Sequence, residues 1–156
     1  MSNDRTIALI YSAKDDEPIE GGLKGWVSNF HKFLTTLMYQ ITRENPEIKL
    51  IAETDVDSKI LESSSAVITI LSSNLVSNLK ATKALDAYGN KLKEDGKLIA
   101  DGVSRFFKVL KYPFDADEHL PSLEDLLTYD FYLVDPLTVD PQEFTRFFLH
   151  HCRRNE

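Results

Sequence analysis

The chain has 156 residues, of which 42% are apolar, 28% charged and 10% aromatic, a balance that fits one folded domain and excludes a disordered or low-complexity chain. A formal charge of -7 with no clustered basic face excludes non-specific nucleic-acid binding. The single cysteine, Cys152, excludes an internal disulfide and a cysteine-rich metal site, and no stretch approaches the roughly 18 apolar residues of a membrane span, so the expected setting is cytoplasmic with no membrane partner.

TIALIY, Thr6 to Tyr11, is a continuous apolar run that suits a strand covered on both faces. It ends in SAKDDEPIEGG, a loop in which Pro18, Gly21 and Gly22 stop regular structure. Trp26, Phe30, Phe33, Leu34, Leu37, Met38 and Ile41 then recur at helical spacing and predict one broad buried stripe. Pro46 ends that helix, because the residue before a proline is pushed out of the helical region. A short second strand is expected over Ile48 to Ala52, followed by the polar ETDVDSK and a brief helical piece near Ile60 and Leu61.

AVITIL, Ala66 to Leu71, is rich in β-branched residues and predicts the third strand. After it, Leu79, Leu85, Tyr88 and Leu92 mark a helix that Gly89 weakens and Gly96 ends. RFFKVL, Arg105 to Leu110, reads as a fourth strand and FYLV, Phe131 to Val134, as a fifth. Between them, Pro113 and Pro121 leave mostly loop with one helical turn. A last helix is expected with Asp140 as N-cap, Pro141 in its first turn, and Phe144, Phe147 and Phe148 on its buried face.

Strands alternating with helices predict an α/β fold, a flavodoxin-like five-stranded parallel sheet with helices on both faces. In such sheets ligands bind at the carboxyl edge of the strands, here Tyr11 to Asp16, Glu53 to Asp55 and Ser72 to Lys80. No glycine-rich phosphate or dinucleotide fingerprint follows Tyr11, and no serine-nucleophile motif occurs. The pair Asp15 and Asp16 suggests the acidic pocket of a phospho-acceptor receiver domain, yet Ser72 and Ser73 stand where that fold needs an aspartate. His31, His119, His150 and His151 lack metal-ligand spacing.

Longer segments carry a family likeness: ALIYSAKDDEPIEGGLKGWVSNFHKFL, then ITILSSNLVSN, then FFKVLKYPF with LEDLLTYDFYLVDP. In this order they resemble bacterial TIR domains of the antiphage effector class, as in TIR-STING-type proteins, and the likeness covers Ile7 to Phe148. The resemblance implies a TIR domain over 1–156, the amino-terminal effector of a longer chain carrying a sensor, STING-like or otherwise cyclic-nucleotide-binding. It also implies homotypic TIR–TIR assembly and NAD+ glycohydrolase activity, with NAD+ as substrate and no cofactor. Cleavage of the nicotinamide–ribose bond builds positive charge on the ribose, which a carboxylate stabilises.

In the family that carboxylate is a glutamate on the helix after the third strand, usually within Trp-x-x-x-Glu-Leu. The pattern falls on Lys80, Ala84 and Leu85, so alanine occupies the catalytic position. Either the site is naturally degenerate, or the glutamate has been replaced to give an inactive form. Asp86, two residues on, points elsewhere on a helix and favours replacement. The same resemblance implies that NAD+ would lie against Tyr11, Ser12, Lys14 and Asp15, and against Glu53, Thr54 and Asp55, with Lys80 beside it. Plainer readings of the same residues are a core-capping Tyr11 and a solvated charge cluster around Lys14. The short connection after the second strand departs from most relatives and leaves the assembly geometry open. A TIR interaction module without catalysis is the alternative function.

Overall fold

A computed structural model describes residues 6–18, 25–100, 103–115, 119–124, 126, 128–134 and 141–143. Five strands form one all-parallel sheet: β1 (Thr6–Tyr11), β2 (Glu47–Ala52), β3 (Ala66–Leu71), β4 (Phe106–Leu110) and β5 (Thr128–Asp130). Their order, β2-β1-β3-β4-β5, is flavodoxin-like, and it reverses direction between β1 and β3. Two antiparallel ribbons stand outside the sheet, one pairing Ile99–Ala100 with Val103–Ser104 and one pairing Tyr132–Val134 with Pro141–Glu143.

The period-2 alternation of the strands sends successive side chains to two different cores. Ile7, Leu9, Ile48, Ile68, Ile70 and Val109 pack against Trp26, Val27 and Phe30 of α1 (Trp26–Thr42). Ala8, Ile10, Val67, Leu71, Phe106 and Leu110 belong to the opposite core. They share it with Leu61 of α2 (Ser58–Ser63), Leu75 of α3 (Ser73–Val76), and Ala81, Leu85, Tyr88 and Leu92 of α4 (Leu79–Glu94). Helices therefore cover both faces, which is why β1 and β3 read as unbroken apolar runs. Thr69 and Lys108, register partners on β3 and β4, are the buried polar residues of the α4 side of the sheet.

Three expectations need correction. The fifth sheet strand is TYD, not FYLV: Thr128 to Asp130 pair with Lys108 to Leu110, whereas Tyr132 to Val134 turn away to pair with Pro141 to Glu143. Phe131 does keep an apolar role, packing edge-on against Phe30 at 5.0 Å between ring centroids. Pro141 consequently begins a short strand and not a helix; Asp140, Phe144, Phe147 and Phe148 lie outside the described residues. The α1 stripe is buried only at its start. Phe33, Leu34 and Met38 are partly buried, while Leu37 and Ile41 are exposed. Its end is set at Arg43, which adopts a left-handed φ of 60° and donates its amide to the Tyr39 carbonyl at 2.8 Å.

Candidate functional site

The loop after β1 opens with a 3-10 turn, Ala13–Asp16, whose two aspartates are turned to different partners. Asp15 is 4% exposed; its carboxylate accepts the Ser72 hydroxyl and, at 3.0 Å, the Asn74 side-chain amide. The Lys111 ammonium reaches the Asp15 backbone carbonyl at 3.5 Å. Asp16 instead accepts both the amide and the hydroxyl of Ser28, each at 2.7 Å, and so caps the start of α1. The helix needs that outside help because its own N-cap residue is Gly25, where a Cβ would stand 1.8 Å from the Asp16 carbonyl oxygen. Asp15 and Asp16 face different partners, so the paired acidic pocket of the receiver-like reading is not formed between them. Among the described residues no group of three or more His, Cys, Asp and Glu side chains could hold a metal ion.

The loop after β2 is a second 3-10 turn, Glu53–Asp55, and it touches the first. Glu53 accepts the Ala13 amide at 2.8 Å, which ties the carboxyl ends of β1 and β2 together. Thr54 and Asp55 are exposed, as is Lys14; Ser12 is buried and its carbonyl accepts the Asp15 amide. Tyr11 closes β1, partly buried. Burial first, and then the negative charges of Asp16, Glu53 and Asp55, raise its phenol above the ordinary 10.0. Of the residues expected to line an NAD+ site, Tyr11, Asp15 and Glu53 are thus already engaged by protein groups or shielded by them, and Lys14, Thr54 and Asp55 remain open to solvent.

The third segment of this edge runs from Ser72 into α4. Ser72 caps α3 by accepting the Leu75 amide at 3.2 Å, and Asn78 caps α4 by accepting the Ala81 amide at 3.0 Å. Lys80 is exposed on the first turn of α4, while Ala84 is partly buried and packs against the core. Helical phase orients this stretch. Lys80, Ala84 and Lys91 fall on one flank at 3.6 residues per turn, and Lys91 donates to Glu62 at 2.6 Å, so that flank faces α2. Asp86 falls on the other flank and accepts the Ser122 amide at 3.0 Å. Sequence reading could not find the Asp15–Ser72, Asp16–Ser28 and Asp86–Ser122 links, since each joins residues far apart along the chain and leaves no local pattern.

A shallow groove of about 580 Å³ lies elsewhere, between α1 and β2, where it is lined by Asp16, His31, Lys32, Thr35, Thr36 and Leu50 among others. Its polar groups are largely consumed. Thr35 and Thr36 donate to carbonyls one turn back, and the His31 ring bonds the Ile48 carbonyl at 2.8 Å. Because α1 and α4 pack on opposite faces of the sheet, this groove does not extend the surface on which Ala84 lies. The better candidate is the carboxyl edge itself, where three loops and the start of α4 meet.

Comparison of the chain with protein-family models, with curated proteins and with solved structures gives no match. Fold and site therefore stand on the residues themselves.

Proposed function

We propose that the chain is a TIR-type domain built on the NAD+-cleaving plan, with its catalytic position emptied by Ala84. The observation that carries this reading is the setting of Ala84: second turn of α4, the long helix that follows β3 and the short α3, on the flank facing α2, in a flavodoxin-like sheet. On this reading a carboxylate there would stabilise the ribose cation of an NAD+ held by the carboxyl-edge loops. A methyl group has no charge to offer, so this chain is inactive toward NAD+ on this reading. Activity in a form with the carboxylate would appear when copies stack, and a fused sensor of cyclic nucleotides would control the stacking.

The second reading is a non-catalytic interaction module. It is favoured by the way Ala84 packs against the core, as an ordinary small residue between helices does.

Ala84→Glu separates the two. The substituted protein and its parent are assembled by crowding, and nicotinamide release from NAD+ is followed. Return of one electrostatic stabiliser should raise the rate at least ~10²-fold. No gain in demonstrably assembled protein removes the catalytic reading and leaves the interaction module.

A further inference from the structure

We infer that Asp15 is a positioning residue, a latch that couples the loop after β1 to the segment leading into α4, and not a residue held ready for a ligand. Its carboxylate is buried, and both oxygens are taken by donors from the start of α3: Oδ2 by the hydroxyl of its N-cap Ser72 and Oδ1 by the Asn74 side-chain amide. The Lys111 ammonium, at the end of β4, reaches the carbonyl of the same residue. One residue thus joins the carboxyl ends of three strands, on either side of the point where the sheet reverses direction.

Ser72 gives the latch its reach. The same hydroxyl donates to Asp15 and accepts the Leu75 amide, so the α3 cap and the latch stand or fall together. The short α3 then packs against α4 and hands the chain on through the Asn78 cap. Movement of the first loop must therefore strain α3 and the first turn of α4, and the converse also holds, as linkage requires. At the far side, the Ala13 amide bound by Glu53 extends the same connection to β2. That these loops frame a ligand site rests on the reading of Ala84 given above; the coupling itself does not.

The test is amide hydrogen exchange of the whole chain without NAD+, which keeps it independent of catalysis. Ser72→Ala should speed exchange at the amides of Ala13 and Asp15 about tenfold, although the substitution is in another loop. Asp15→Ala should do the same at Val76, Ser77 and Asn78. Asp15→Asn is the conservative rescue: its carbonyl can still accept from Ser72, and a flip of the Asn74 amide restores the second bond, so rates near wild type are expected. The double variant Asp15→Ala/Ser72→Ala should be no faster than either single one. Exchange that rises only in the substituted segment, or effects that multiply in the double variant, would overturn the latch. Equal acceleration by Asp15→Asn and Asp15→Ala would do so too.

Discussion

Asp86 and Ser122 are joined across the surface of α4, the carboxylate accepting the Ser122 amide at 3.0 Å. The carboxylate nearest in sequence to position 84 is therefore spent on holding the 3-10 turn Pro121–Leu123 against the helix. Ser122 is buried, so loss of the acceptor leaves its amide unsatisfied. Asp86→Ala should cost about 1–3 kcal/mol in denaturant unfolding, and Asp86→Asn, which keeps an acceptor, clearly less. Equal losses would mean that the hydrogen bond is not what matters there.

Three residues further along α4, Gly89 meets the same turn. A Cβ at this position would lie 2.5 Å from the Ser122 hydroxyl and 2.7 Å from a methyl of Leu123, which is fully buried. Alanine should gain about 1 kcal/mol in helix propensity, but forcing the turn away from the helix costs more, typically 1–3 kcal/mol for overpacking. Gly89→Ala is expected to lower stability, measured by thermal unfolding. A rise in Tm would show that the turn yields freely.

Inside the sheet, Thr69 presents the opposite case. Its hydroxyl oxygen is buried without a hydrogen-bond partner, and its methyl group shares the core of α4. Valine has the same shape and no polar atom to desolvate, so Thr69→Val should raise stability by about 1 kcal/mol. A loss instead would reveal a bridging water between Thr69 and its neighbours.

How far these relationships could be read in advance depended on their range. β1 and β3 were legible because strands covered on both faces must be apolar throughout, and their runs are continuous and β-branched. β5 was not: Thr128, Tyr129 and Asp130 are all exposed at the sheet edge, where no burial selects apolar residues. The apolar FYLV nearby carries the stronger strand pattern, although Tyr132 to Val134 pair outside the sheet. Gly89 looked like a helix weakness, and only the turn packed on it shows why a side chain is absent. At the carboxyl edge, the sequence placed Tyr11, Asp15, Glu53 and Ala84 on the right elements. Which of them face one another was set by contacts spanning tens of residues, such as Ala13 with Glu53.

Tyr11 gives the last prediction, since its phenol is raised above 10.0 by burial and by Asp16, Glu53 and Asp55. Between the unfolded value near 10 and the higher folded one, the folded chain holds more protons than the unfolded chain. Stability is then unaffected by this group below about pH 10 and falls as the pH climbs above it. Removing the hydroxyl removes the linkage, so Tyr11→Phe should lose stability less steeply than the parent as the pH climbs above about 10. Tyr88 is raised as well, chiefly by burial, and will keep part of the slope in the variant. Chemical denaturation at several alkaline pH values measures both slopes. An unchanged slope in Tyr11→Phe would mean that burial and the acidic mouth around Tyr11 do not hold the phenol in its neutral form.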